Sequence, residues 1–267
     1  AASDVYKRQL TLLAAVAART THIRLGTTSY LLPIRHPLLA AEEVAVLDRL
    51  SGGRVILGLG RGFGKAMFTA FGVDPADKRE LFRANLEIMR RAWRGEPVAE
   101  GEDGAPIRLA PLPVQQPAPP IWVAAFGPLA LQQVAGLGLP YLASPIETLA
   151  ALEDNYRRFR AAVADAGQPP VRTVPVMRSV FVTDDASQAE RVRTGLQKLL
   201  PGNPRGGDGD LDDRVMVGDR AQVRDRLRDY VERLGLSHLI LRGGIPGLDE
   251  TEQLRSHGAL LEIAADL

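Results

Sequence analysis

Short apolar segments alternate with longer amphipathic segments along most of the chain. The apolar segments are rich in β-branched residues and are bounded by glycine, proline or aspartate, which is typical of strands buried in a parallel sheet. The longer segments repeat their apolar residues every three or four positions, as amphipathic helices do. Strict alternation of strand and helix predicts a parallel α/β fold. The predicted strands are residues 22–29, 55–57, 121–125, 141–143, 173–182 and 238–241.

The helices follow from the longer periodic segments. They are predicted at residues 10–20, 37–50, 75–93, from about 129, at 147–167, from 186 to about 200, from 219, and at 250–264. Two segments lack either pattern. The proline-rich residues 95–120 predict an excursion with a short hairpin near Ile107, and the polar, glycine-rich residues 201–214 predict a mobile lid-like loop.

The amino end departs from this alternation. A helical pattern begins at Leu10 with no strand before it, whereas an α/β chain normally begins with a strand. Six strands fit a doubly wound sheet, and two more at the amino end would complete a (β/α)8 barrel. We therefore expect one domain over residues 1–267, with its first strands missing.

Composition excludes several classes of function. The formal net charge of +1 gives no sign of a nucleic-acid or membrane surface. No apolar run approaches the roughly 20 residues that span a bilayer. Without cysteine there is no disulfide, no thiol nucleophile and no cysteine-ligated metal. Since no secretory leader pattern is present, we expect a cytoplasmic protein.

A glycine-rich segment after the strand at 55–57 carries the clearest chemical signal. Arg61 stands between Gly60 and Gly62, where bare backbone allows close approach of a ligand and a guanidinium suits a phosphate. Phe63 occupies the place of the third glycine of a dinucleotide-binding GxGxxG motif, and no GK[ST] follows for a P-loop. The pattern predicts an anion site at the end of a strand. A glycine-rich turn with a solvated arginine is the alternative.

Other candidate residues lie on predicted loops. His36 follows the first predicted strand, and a solvated loop histidine is its alternative interpretation. Arg242 follows the last strand beside Gly243, where parallel α/β folds place their sites. Arg205 lies in the predicted lid. No HExxH motif or paired His/Asp cluster is present, so a metal site is not expected.

Several stretches together resemble the bacterial luciferase-like superfamily of flavin-dependent monooxygenases and deazaflavin-dependent oxidoreductases. They are residues 23–27, 36–63, 71–93 and 111–125, with a further match at 217–227. Their order and spacing agree with the family as well as their residue types do. The resemblance implies a (β/α)8 TIM barrel, here incomplete at the amino end, with the flavin across the carboxyl ends of the strands.

The resemblance also implies a set of cofactor contacts. In the family, the arginine of the glycine loop binds the flavin phosphate, the peptide matching Thr28–Ser29 is a non-prolyl cis bond behind the ring, and the turn at Phe126 adds a phosphate-side contact. No residue here matches the family's catalytic position at the end of the second strand, so the catalytic group is unknown. The cofactor-binding residues implied are Thr28, Ser29, Gly60, Arg61, Gly62, Ala125, Phe126 and Gly127.

The activity implied is that of an oxidoreductase. It would be a monooxygenase that uses reduced FMN and dioxygen on a small organic substrate, with a separate flavin reductase as a partner and a homodimer by analogy. Two alternatives stay open. One is hydride transfer with a deazaflavin, and the other is a non-catalytic flavin-binding partner subunit.

Overall fold

The computed structural model describes residues 8–200, 206 and 209–267. The chain divides into two compact units, Ala1–Ala124 and Ala125–Leu267. No described helix has the length and hydropathy needed to cross a bilayer.

The first unit is built on strand β3, which pairs in parallel with β1, β2 and β6. All residues of β3 are buried, as an apolar strand covered on both faces requires. Gly60 lies opposite Leu31 on β2 and Ala124 on β6, so these strands end at one edge. The elements of this unit are α1 Gln9–Arg19, β1 Leu25–Gly26, β2 Tyr30–Leu31, α2 Pro37–Ser51, β3 Val55–Gly60, α3 Lys65–Ala70, α4 Lys78–Trp93, β4 Ala99–Glu100, β5 Pro106–Ile107 and β6 Ile121–Ala124.

The single strand predicted at residues 22–29 is wrong in extent, because the structure has two short strands, β1 and β2, in this region. Between them, the Thr27 hydroxyl donates to the carbonyl oxygen of Gly58 at 2.8 Å. A side chain therefore takes over one of the contacts that a backbone N–H makes in a continuous ladder.

Helix α4 begins three residues later than predicted. The Asp74 carboxylate accepts from the backbone N–H of Ala76, which closes a turn ahead of the helix, and Asp77 occupies the N-cap position. The apolar residues of α4, spaced three or four positions apart, form its buried face. Its buried residues include Phe82, Leu86, Met89 and Trp93. The hairpin predicted near Ile107 is confirmed, since β4 and β5 pair antiparallel.

The second unit contains a parallel sheet with the strand order β10–β8–β9. Strand β10 pairs with the first half of β8, up to Arg178, and β9 pairs with the second half, from Ser179 onward. Helix α7 begins after an aspartate N-cap, Asp185, which accepts from two backbone N–H groups. The elements are α5 Pro128–Gly136, β7 Tyr141–Leu142, α6 Leu149–Asp165, β8 Pro175–Val182, α7 Ala186–Leu199, β9 Val215–Gly218, α8 Arg220–Leu234, β10 His238–Leu241 and α9 Glu250–Ala265.

Strand β9 was missed by the sequence prediction, which ran directly from the polar loop into α8. Its apolar run is only Val215–Val217, too short for a periodic signal, yet every residue of β9 is buried. Of the predicted lid at 201–214, residues 201–205 and 207–208 lie outside the described part of the chain, Arg205 among them. The described residues Leu211–Asp213 form a 3-10 turn.

Candidate functional site

The predicted cofactor residues of the first unit meet where β2 and β3 approach each other. The peptide between Thr28 and Ser29 is cis, as the family resemblance predicted. The Ser29 side chain packs directly on the bare backbone of Gly60, because a Cβ at Gly60 would lie 2.2 Å from the Ser29 hydroxyl oxygen. Only glycine leaves that space, so the position next to Arg61 is set by steric contact with the strand beside it.

The turn after β3 requires a second glycine and holds Arg61 at its centre. Gly62 has a φ of 76°, and a Cβ there would meet the Met67 methyl carbon at 2.5 Å. Arg61 is half-buried, and loss of water followed by the positive charge of Arg79 lowers its pKa. A bound anion would offset both effects, since it favours the charged guanidinium. Phe63, by contrast, is 91% exposed.

The loop after β2 is anchored by residues that the sequence analysis did not single out. The Asn85 amide donates to the carbonyl oxygens of Leu32 at 3.3 Å and Arg35 at 3.1 Å. The Arg35 guanidinium stacks on the Tyr30 ring, 5.2 Å from its centroid. A signal for Asn85 was present in the sequence, because it is a polar residue on the apolar face of α4. His36 is exposed at the residue before α2.

In the second unit, the predicted residues Ala125, Phe126 and Gly127 lead into helix α5. Ala125 is buried, and Phe126 and Gly127 are half-buried. Gly127 has a φ of 89° and occupies the N-cap position, with Pro128 as the first helical residue. These residues therefore lie at the amino end of a helix, where backbone N–H groups favour an anion.

A buried carboxylate, Glu147, organises the loop that follows β7. Its two oxygens accept from the Tyr141 hydroxyl at 2.7 and 2.9 Å, from the Ser144 backbone N–H at 2.8 Å and from the Asn155 amide at 2.7 Å. Glu147 is completely buried, with 0% of its surface exposed. These bonds fix the loop at the carboxyl end of β7, where α/β folds place their sites.

Arg178 of strand β8 also forms hydrogen bonds with this loop. It is 0% exposed and donates to the carbonyl oxygens of Ser144 at 3.0 Å and Glu147 at 2.6 Å, and to the Tyr230 hydroxyl at 2.7 Å. The sequence analysis passed over this residue. Its signal was a single charge inside an otherwise apolar strand, which is rare unless the charge is paired or hydrogen-bonded.

Burial raises the pKa of the Glu147 carboxyl above its ordinary value, against the opposing effect of its hydrogen bonds. The folded state therefore holds this proton more tightly than the unfolded chain, so the stabilisation is present at low pH and declines as pH rises through the folded-state pKa. We expect the free energy of urea unfolding of the native protein to fall with rising pH relative to that of Glu147→Gln. If the difference in unfolding free energy between the native protein and Glu147→Gln stays constant or grows as pH rises, this expectation is contradicted. Glu153→Gln is the control for the lost charge, because Glu153 is an exposed carboxylate of α6.

Arg242 is the remaining candidate among the described residues. Arg242 lies just after β10, and the structure places it half-buried, with burial lowering its pKa. Among the described residues, no group of three or more histidine, aspartate or glutamate side chains is placed to hold a metal ion.

Comparisons with known proteins agree on one family. A family model described as luciferase-like monooxygenase matches residues 3–238. The chain is 32% identical over 252 residues to 4-hydroxyprotoasukamycin monooxygenase of Streptomyces nodosus, covering 84% of this chain and 68% of that protein. It is 28% identical over 186 residues to the oxygenase component of flavin-dependent trigonelline monooxygenase of Acinetobacter baylyi, covering 67% of this chain and 51% of that protein. The chain thus spans about half the length of the latter relative.

A solved structure also matches. The crystal structure of monooxygenase RslO1 from Streptomyces bottropensis aligns with a TM-score of 0.80 and 26% identity, covering 95% of this chain and 81% of that one.

Proposed function

The chain belongs to the luciferase-like monooxygenase family, and on that premise we propose that it is the oxygenase of a flavin-dependent monooxygenase that uses reduced FMN and dioxygen. A relative named as an oxygenase component supports the further proposal that a separate reductase supplies the flavin. We also propose a small organic substrate, a (β/α)8 barrel as the fold of the whole protein, and a homodimer.

The observation that carries the proposal is the arrangement around Arg61. A half-buried guanidinium stands between two glycines whose backbone leaves no room for a side chain, at the end of a parallel strand. This arrangement fits the terminal phosphate of FMN, because a guanidinium binds phosphate and an anion lowers the electrostatic cost of burying Arg61 beside Arg79.

The protein's part in the reaction is binding and orientation. Reduced flavin, when bound, supplies the electrons that activate dioxygen. Arg61 would hold the phosphate, while Ser29, packed on Gly60, would fix the strand end that precedes Arg61. In the second unit, Glu147 and Arg178 would hold the loop after β7 in one position.

Replacing Arg61 with alanine tests the cofactor site. We expect FMN affinity to fall by about 1.5–3 kcal/mol, which is roughly 10- to 150-fold, because a charged hydrogen-bond donor to the phosphate is lost. Titration of flavin fluorescence measures it. Arg83→Ala is the matched control, because Arg83 lies on the surface and pairs only with Glu80 among the described residues.

The same titration, repeated with a deazaflavin, decides the chemistry. If the protein binds deazaflavin in preference to FMN, the proposed reaction is hydride transfer and not oxygen activation. An equal loss of affinity in Arg61→Ala and Arg83→Ala would overturn the phosphate site itself.

A further inference from the structure

The Arg242 side chain lacks a counter-ion within the described structure. It is half-buried just after β10, and no described residue forms a hydrogen bond or an ion pair with its guanidinium. Burial is the only cause that lowers its pKa, so no nearby carboxylate compensates for the lost water. Arg178, one strand away, has all of its guanidinium nitrogens engaged. A half-buried guanidinium without a described partner is a group to which an anion can bind.

A second polar group without a partner lies beside Arg242. Ser179 is 1% exposed, and its hydroxyl oxygen is buried with no hydrogen-bond partner among the described residues. Buried hydroxyl groups are nearly always hydrogen-bonded, so this group also lacks something that would complete it. The β10–β8 register pairs Leu241 with Arg178, and the Arg242 backbone N–H donates to Arg178 O at 2.8 Å. The next residues along the two strands, Arg242 and Ser179, are therefore neighbours.

Alternation along the strands places these two side chains on one face of the sheet. Arg178 projects to the opposite face, where it meets Tyr230. Preceding Ser179 and Arg242 on their own face are Met177 and Ile240, an in-register pair that is half-buried. The face thus runs from apolar side chains to a hydroxyl and a guanidinium at its carboxyl end.

The two residues after Arg242 are exposed glycines that do not crowd it. A Cβ added to Gly243 or Gly244 would meet no atom within 4 Å. A guanidinium and a hydroxyl can both donate hydrogen bonds. A ligand group that suits both is therefore a negatively charged hydrogen-bond acceptor.

We propose that Arg242 and Ser179 form a subsite for the carboxylate of a small organic acid, whose apolar part lies against Met177 and Ile240. The subsite deepens the proposed function and rests on it, because it makes the substrate of the monooxygenase an organic anion. Arg242 donates two N–H groups to the carboxylate and Ser179 donates its hydroxyl, so each group gains the partner that it lacks.

Calorimetric titration of the intact chain with hexanoate, with its neutral analogue hexanamide and with inorganic phosphate tests the subsite. We expect hexanoate to bind at millimolar concentration and about tenfold or more tighter than hexanamide. Arg242→Gln should abolish this preference. Arg255→Gln, which removes an exposed arginine of α9, should retain it.

Ser179→Ala separates a binding role from a structural one. Removing a buried, unpartnered hydroxyl should leave stability to urea unchanged or higher, while hexanoate affinity falls several-fold. A loss of stability without a loss of hexanoate affinity would overturn the role of Ser179.

Titration with FMN distinguishes the substrate subsite from the cofactor site. FMN affinity should be unchanged in Arg242→Gln. Three results would show that the subsite is wrong while the flavin site stands. Hexanoate and hexanamide could bind with equal affinity, or neither could bind while FMN does. Arg242→Gln and Arg255→Gln could also lower the affinity for hexanoate to the same extent. If Arg242→Gln loses FMN and phosphate competes with FMN, Arg242 serves the cofactor and the subsite proposal fails. Failure of FMN to bind the native chain, with the hexanoate preference intact, would instead count against the proposed function.

Discussion

Arg178→Met is expected to lower the free energy of unfolding by about 3–5 kcal/mol, the range seen when one partner of a buried charged network is removed. Methionine retains much of the apolar stem but leaves the Tyr230 hydroxyl and the carbonyl oxygens of Ser144 and Glu147 without their donor. Each buried group that loses its partner costs about 1–3 kcal/mol. The loss also removes the positive charge that lowers the pKa of Glu147.

Urea unfolding monitored by tryptophan fluorescence measures this change. Arg228→Met is the matched control, since Arg228 lies on the surface of α8 and its pair with Asp225 joins largely exposed side chains. Such a surface pair contributes at most about 1 kcal/mol. A similar free-energy change in both variants would show that the buried arginine is dispensable.

Gly60→Ala is expected to cost about 1–3 kcal/mol of stability and to weaken flavin binding as strongly as the loss of Arg61. The new Cβ would lie 2.2 Å from the Ser29 hydroxyl oxygen and 3.1 Å from a Leu31 methyl carbon. The Ser29 and Leu31 side chains must therefore shift, which disturbs the packing beside the turn that holds Arg61. Chemical denaturation and flavin titration follow the two effects separately.

Two variants define the cause of the Gly60→Ala effect. Gly26→Ala is the matched strand glycine, because its Cβ would lie 3.5 Å from Ile56 O, an ordinary contact. It should change stability far less. Ser29→Ala combined with Gly60→Ala removes the hydroxyl that clashes, so the double variant should recover part of the loss, as contacting residues are coupled. Purely additive effects would place the damage elsewhere than at the contact between Ser29 and Gly60.

Local patterns allowed most of the elements to be predicted. The apolar spacing of α4, the aspartate cap of α7 and the fully apolar β3 each follow from residues within a few positions of one another. The errors have local causes as well. Asp74 before Pro75 is a typical helix N-cap in the sequence, but its carboxylate closes a turn ahead of α4 instead. Strand β9 is too short for its burial to appear as a pattern.

For this protein, the sequence by itself determined the succession of strands and helices, the family, and the position of Arg61 in a glycine turn. Only the tertiary structure decided that Ser29 fills the space beside Gly60, that Arg178 and Glu147 hold one loop, and that Ser179 stands beside Arg242. The physical reason is sequence separation. Helix periodicity, caps and turns depend on near neighbours in the chain, whereas these contacts depend on the register of strands far apart in sequence, which no local pattern encodes.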